Sequence, residues 1–333
     1  MSEEKKKKPL KERIGENIVQ FFSFSAIIVL VVFLSISQKT FLSPMNLSNL
    51  FRDTSTLIVL ASGMFMVLLF GSIDLSMGAA CSVSNVLYVK FLLTYGPKFI
   101  PAAAGVIGLL ISLVFGMVAG GLLGFIHVKL KVPSFIASLG FMSVWQSTAL
   151  LITENPESIP KAMWGAVNWY KISFGVFGLP IILALLIVAV IFFFTNYTTV
   201  GRAIFAIGGN ERTARVAGLH VDKIKIIVFI INGMLAALAG VFLAGSVRSS
   251  SPTIGDAYTL KIVASCALGG VSLAGGKGSV LGALLGVFTI TLIQNGMTFL
   301  GVDAYSQNIV LGVFVLAAIA MTADRRRKDL IIK

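Results

Sequence analysis

The chain has 333 residues, 56% of them hydrophobic and only 12% charged, with a net charge of +13 and a mean hydropathy of +0.93. Soluble domains hold about 25% charged residues, so this composition excludes an ordinary soluble fold and leaves one integral membrane domain with short tails. The cations gather at the chain ends and in short segments between apolar runs, which excludes a nucleic-acid surface and follows membrane topology instead.

The first element is a basic tail over residues 1–19, with Lys5, Lys6, Lys7, Lys8, Lys11 and Arg13. A second basic tail, 324–333, holds Arg325, Arg326, Arg327, Lys328 and Lys333. The positive-inside rule places both tails in the cytoplasm, which requires an even number of crossings. Between them, apolar runs long enough for a hydrocarbon core of about 30 Å occur near 20–37, 55–73, 76–95, 102–127, 133–152, 179–196, 224–247, 257–272, 279–300 and 306–323. The expected fold is therefore all-α, with about ten transmembrane helices in residues 20–323. The third run carries Ser82, Ser84, Asn85 and Lys90, and the eighth is short and ends in glycines, so the even count rests on these two. Threading from a cytoplasmic start puts Lys129, Lys131, Arg202, Arg212, Arg215, Lys223, Lys225 and Lys277 inside, and Lys39, Arg52, Lys98, Lys161, Lys171, Arg248 and Lys261 outside. The first run also has the form of a signal sequence, with Ser35-Ile36-Ser37 at a cleavage-like position; nine further spans favour an uncleaved anchor.

After the second run comes Gly71-Ser72-Ile73-Asp74-Leu75-Ser76-Met77-Gly78. Glycine at Gly71 and Gly78 breaks helices or lets backbones approach, and irregular backbone near a membrane needs protein or water to cover it. Asp74 is the one acid closely flanked by apolar spans, which reads either as a functional carboxylate or as a cap for the third helix. Residues 153–178, between the fifth and sixth runs, combine Glu154 and Glu157 with Trp164, Trp169 and Tyr170, suited to an interfacial aromatic belt or to docking an external partner.

The cytoplasmic loop at about 197–223 contains a short helix with its own stop signals. Asn210 is an N-cap, Glu211 stands in the first turn and pairs with Arg215 at i,i+4, Arg212 lies between them, and Gly218 terminates the segment. Such a rod, about 10 Å long for seven residues, serves either to transmit motion from a cytoplasmic protein or as a solvated connector. Further on, Gly269, Gly270, Gly275 and Gly276 punctuate the run 269–278, which resembles 71–78 and hints at an internal duplication.

Cys81 and Cys266 lack metal-site spacing and read as structural thiols, and His127 and His220 stand alone. No nucleotide loop, zinc-hydrolase motif or nucleophile elbow occurs, so no cofactor is expected in this chain and it is not expected to be an enzyme. Carboxylates and histidines are nearly missing from the spans, leaving Lys90 as the mid-span charge, which favours a pathway driven by a separate ATPase over a proton-coupled carrier.

These segments carry a family resemblance. Residues 71–78 resemble the G-G-[IV]-D-L-S-[VI]-G signature of ribose-type ATP-binding-cassette importer permeases, with Ser72 in place of the usual second glycine. Asn210-Glu211 through Ala217-Gly218-Leu219 resembles their coupling segment. Leu268-Gly269-Gly270-Val271-Ser272-Leu273-Ala274-Gly275-Gly276-Lys277-Gly278 resembles their L-G-G-[TV]-S-L-x-G-G-x-G run, and Gln294-Asn295-Gly296 follows in the ninth span. The resemblance covers about 45–320. It implies a type II importer-like permease in a bacterial inner membrane, acting as a homodimer. Its expected partners are a cytoplasmic ATPase with two fused nucleotide-binding domains, which binds the ATP and Mg, and an extracytoplasmic sugar-binding protein. Phe65, Phe70, Asn85 and Asn295 are the pathway candidates beside Asp74. Permeases for branched-chain amino acids or nucleosides, and more remotely a secondary carrier or scaffold, are the alternatives. Tyr258-Thr259-Leu260-Lys261 departs from the Tyr-Glu-Leu-Asp of many relatives, and on the expected outer side this implies altered partner docking or a different solute.

Overall fold

The computed structural model describes residues 24–25 and 27–322, the side chains of 317–322 excepted, so both basic tails lie outside the described residues. The helices are α1 (Ile27–Ser37), α2 (Pro44–Leu69), α3 (Met77–Thr94), α4 (Pro101–Lys129), α5 (Ser134–Ile152), α6 (Leu179–Tyr197), α7 (Thr199–Gly209), α8 (Glu211–Val216), α9 (Val221–Val247), α10 (Thr259–Leu268), α11 (Val280–Phe299) and α12 (Ala304–Thr322). Seven of them, α2 to α6, α9 and α11, are long and apolar enough to cross a membrane. The starts follow local chemistry. Ser43 caps α2 ahead of Pro44, Pro101 and Pro180 occupy first turns, and Ser279 caps α11 through the Gly282 amide.

The expected eighth span is realised differently. α10 has 10 residues, about 15 Å of helix and too little to cross alone, because the chain before it, 249–258, is non-helical apart from one 3-10 turn at Asp256–Tyr258. The expected cytoplasmic loop likewise holds two helices. α7 precedes α8, and it begins as soon as Thr198 ends α6 and caps the new helix through the Gly201 amide.

α9 is the centre of the bundle and packs against α2, α3 and α4. Its closest neighbour is α4, where Gly116, Gly120 and Gly124 face Phe229 and Gly233, so the two backbones touch with no side chain between them. Lipid tails are as apolar as leucine, and helix association in a bilayer therefore depends on such close packing. The outward face of α4 is apolar and exposed, with Val106 and Val114 each 58% accessible.

A methyl group at Gly120 would fall on the Phe229 carbonyl, whereas one at Gly121 would stand 3.6 Å from its nearest neighbour, Ile230. Gly120→Ala is therefore expected to destabilise the chain by about 1–3 kcal/mol, and Gly121→Ala to be neutral. Thermal unfolding of the two variants in detergent checks this, and equal melting temperatures would contradict it.

Candidate functional site

Helix α8, in the loop expected on the cytoplasmic side, is built as its sequence suggests and is then tied to the bundle by charges distant in sequence. The Asn210 side chain accepts from the Thr213 amide at 2.9 Å, and Gly218 follows the helix with φ +84°. Arg215 donates to Glu211 Oε1 at 3.0 Å and also to Asp222 of α9 at 2.9 Å. Lys225 Nζ, on a side chain only 9% accessible, reaches Glu211 Oε2 at 2.7 Å, and Lys129 at the end of α4 lies 3.7 Å from Asp222. Glu211 therefore neutralises a nearly buried ammonium, which makes it an anchor rather than a surface charge. Lys129, Asp222 and Lys225 carry no local signal for this role because they come from α4 and α9. Arg212 and Val216 point outward; Val216 is 85% exposed, and Arg212 has no hydrogen bond or ion pair among the described residues.

The glycine segments meet at this same end. The Gly276 amide donates to the Leu69 carbonyl at 2.7 Å, and a Cβ on Gly275 would come within 2.7 Å of the Gly71 nitrogen. Gly208 of α7 lies against the same Leu69 carbonyl. Gly71, Gly275 and Gly276 have φ of +76°, +88° and +75°, values that only glycine adopts without strain. Three chain segments thus cross with their backbones in contact, and α7 joins that crossing directly to α8. Gly269 and Gly282 form a further close approach between the ends of α10 and α11.

From Gly71 the chain turns back into the bundle. Asp74 Oδ1 accepts the Ser76 amide at 2.8 Å and the Ser76 hydroxyl at 2.6 Å, while Oδ2 accepts the Asn232 amide group at 2.7 Å. Asn232 is about three turns along α9, roughly 16 Å from its Val221 end, so this carboxylate sits at hydrocarbon depth. It is 3% accessible, and no basic side chain pairs with it among the described residues. Asp74 thus closes the turn ahead of α3, whose N-cap position is held by Ser76 with no side-chain cap bond, and its second oxygen takes a partner, Asn232, that the sequence did not suggest. Asn232 Oδ1 is buried without a partner among the described residues.

The other pathway candidates do not converge. Phe65 is fully packed in the core, and Phe70 stacks edge-on against Phe229 at 5.6 Å with the Lys225 ammonium 5.8 Å from its ring centre. Asn85 accepts from the Ser251 amide at 3.0 Å and donates to the Gly240 carbonyl at 3.3 Å. Asn295 exchanges bonds with Asn46 at 3.1 and 3.3 Å on the far side of α2. Gly78 receives the Gly255 backbone, whose amide donates to Ser82 at 2.8 Å. Lys90 is paired with Glu157 of the 153–178 loop at 2.7 Å. That loop is ordered, with Trp169 and Tyr170 against Phe242 and Arg248 stacked 3.8 Å over Trp164. Lys261, expected at the outer surface, instead stands in the first turn of α10 within the bundle, because the chain descends from Ser249 to Gly255 along α3 before the helix starts. Cys81 and Cys266 are buried free thiols.

An asparagine at position 74 can still accept from Ser76, and a flipped Asn232 can accept from it in turn. Asp74→Asn is thus expected to change stability by less than about 1 kcal/mol, and Asp74→Leu to cost about 1–3 kcal/mol by stranding Ser76 and Asn232. Detergent melting curves distinguish the two, and equal losses would contradict the hydrogen-bonding account. For Glu211, burial raises the carboxyl pKa, but hydrogen bonds from Lys225 and Arg215 outweigh it and hold it below the ordinary 4.5. A depressed folded value stabilises docking of α8 above the ordinary pKa and loses that contribution as pH falls through the folded one. A spin label at residue 216 is expected to keep one spectrum from about pH 8 to about pH 5 and to gain a mobile component below about pH 4. A mobile component already present at neutral pH would contradict this anchoring.

Residues 46–319 match the family described as branched-chain amino acid transport system / permease component. The chain is 32% identical over 310 residues to the ribose import permease protein RbsC of Haemophilus influenzae, covering 92% of this chain and 94% of that one. It is 34% identical over 305 residues to the ribose import permease protein RbsC of Bacillus subtilis, covering 91% and 92%. It is 31% identical over 324 residues to the D-allose transport system permease protein AlsC of Escherichia coli, covering 96% of each. With seven helices fit to cross a membrane and a match over most of its length, the chain is a multi-pass membrane protein that belongs to the branched-chain amino acid transport system permease family.

Proposed function

We propose that this chain is the transmembrane permease subunit of an ATP-binding-cassette importer for a small sugar, ribose or a similar monosaccharide. The names of its relatives support the sugar class. In this reading the chain works in the bacterial inner membrane as a homodimer. A cytoplasmic ATPase with two fused nucleotide-binding domains binds ATP and Mg, and an extracytoplasmic sugar-binding protein delivers the solute. The chain itself holds no cofactor and catalyses no reaction. Adding α1, α12 and the composite of 249–258 with α10 to the seven long helices brings the crossings to ten, which keeps both termini on the cytoplasmic side.

The observation that carries the reading is the attachment of α8. A helix of six residues with an exposed outer face is fixed to α9 by Glu211–Lys225 and Arg215–Asp222, and through α7 to the Gly208–Leu69–Gly276 crossing. A push on Arg212 or Val216 would therefore move α2, α9 and the α10–α11 connection together. ATP-driven closure of the ATPase would act on α8, and the paired permeases would alternate access to a central path. Asn210, Glu211, Arg215 and Gly218 give the transmitting helix its shape and anchorage. Asp74 fixes the break before α3. Phe65, Phe70, Asn85 and Asn295, the other pathway candidates, support the surrounding helices, since their side chains are packed or paired within one chain.

The test uses the outward residues, whose replacement leaves the anchoring ion pairs intact. In the transporter reconstituted with its ATPase and binding protein, Val216→Asp and Arg212→Glu are expected to lower sugar-stimulated ATP hydrolysis by about tenfold or more. Melting temperatures of the permease should stay unchanged. Undiminished stimulation would return α8 to a plain connector.

A further inference from the structure

The side chains with the most unspent chemistry lie away from Asp74 and α8, on the face of the chain formed by α10 and α12. A cavity of about 330 Å³ opens there, lined by Asp256, Leu260, Lys261, Asn308 and Gly312 among others, and the Gln146 side chain of α5 reaches the Asp256 carboxylate from its other flank. This volume falls at the lower end of the roughly 300–1,000 Å³ typical of small-molecule sites.

Three observations set this face apart from a lipid-facing surface. First, its depth: Gly255 packs on Gly78 in the first turn of α3, one turn beyond Asp74, so Asp256 and Lys261 stand within the hydrocarbon layer. Second, its chemistry: Asp256, Lys261 and Asn308 share one cavity, the Lys261 ammonium stands 5.5 Å from the centre of the Tyr258 ring with Asp53 of α2 as its nearby acid, and one Asp256 oxygen is buried with no partner among the described residues. Ionisable groups at such depth face a bundle interior or water. Third, its backbone: α10 starts part-way through the membrane after a non-helical stretch, and broken helices of this kind are tolerated where they are covered by protein or line a cavity. By contrast, the exposed face of α4 presents Val106, Leu110, Val114 and Val118, as a lipid-facing surface should.

We propose that the groove between α5, α10 and α12 is the solute-contacting wall of the path, and that a second copy of the chain closes its open side. Asp256 accepts from adjacent hydroxyls of a small neutral polyol, Lys261 donates to its oxygens, and Asn308 does either. This assignment rests on the permease reading above. It places the path on polar residues that no local spacing groups, and it assigns the Lys261 departure to solute contact rather than to partner docking.

The test is thiol accessibility in proteoliposomes holding the complete transporter. The native cysteines are buried, so the unsubstituted chain supplies the background. Leu260→Cys and Asn308→Cys are expected to react with a charged, membrane-impermeant methanethiosulfonate at least about tenfold faster than Val114→Cys and Leu122→Cys on α4, since only a hydrated thiol ionises. Equal, slow reaction at all four positions would overturn the proposal. ATP-driven uptake of labelled ribose in the same vesicles separates this from the permease reading. Slow groove thiols in vesicles that import ribose would place the path elsewhere and leave the permease intact. Fast groove thiols without any ATP-driven uptake would support the hydrated groove and overturn its assignment to ribose-like cargo. Asp256→Asn and Lys261→Met are each expected to lower uptake about tenfold, as loss of a charge-assisted hydrogen bond does. Unchanged uptake in both would remove these side chains from solute contact.

Discussion

A helix that breaks inside a bilayer exposes amide and carbonyl groups that lipid cannot satisfy, and this constraint governs most of the polar residues in the chain. Among the described residues two such breaks, 70–76 before α3 and 249–258 before α10, lie close together, joined where Gly255 packs on Gly78. Each is covered by side chains placed for the purpose. Ser134 accepts the Ile73 amide and Asp74 the Ser76 amide at the first break, while Ser82 and Asn85 accept the Gly255 and Ser251 amides at the second. The polar face of α3, which makes it a poor hydrophobic span on composition, is thus the hydrogen-bonding partner of the descending chain.

The same constraint explains the glycines. Where three segments cross at Leu69, Gly208 and Gly276, main-chain atoms meet directly: the Gly276 amide donates to the Leu69 carbonyl, and Gly208 packs against both with no side chain between. A crossing of that kind resists sliding, because a displacement costs a backbone hydrogen bond as well as close packing. It also joins the end of the chain that carries α8 to both breaks.

The charges at the α8 end combine one local pair with two partners distant in sequence. Local pairs such as Glu211 with Arg215 are worth little alone at an accessible surface. Their value here comes from Lys225 and Asp222, which turn one i,i+4 pair into a network between three helices.

By itself the sequence determined the membrane class, the places of most spans and the identity of α8 with its cap and terminator, since these follow from composition and from residues within a few positions of each other. The Asn210 cap and Gly218 terminator stand where their neighbours required them. Tertiary structure alone decided the partners of Asp74, Lys225, Asn85 and Lys261, and the shortness of α10. Asp74 meets Asn232 and Asn85 meets Ser251 over more than 150 residues of chain. An apolar run such as 257–272 reads alike whether it is helical throughout or begins as extended chain. Periodicity reports the face that a segment buries, not the depth at which a neighbouring helix supplies hydrogen bonds to replace its own, and that depth is set by how α3, α9 and α10 pack.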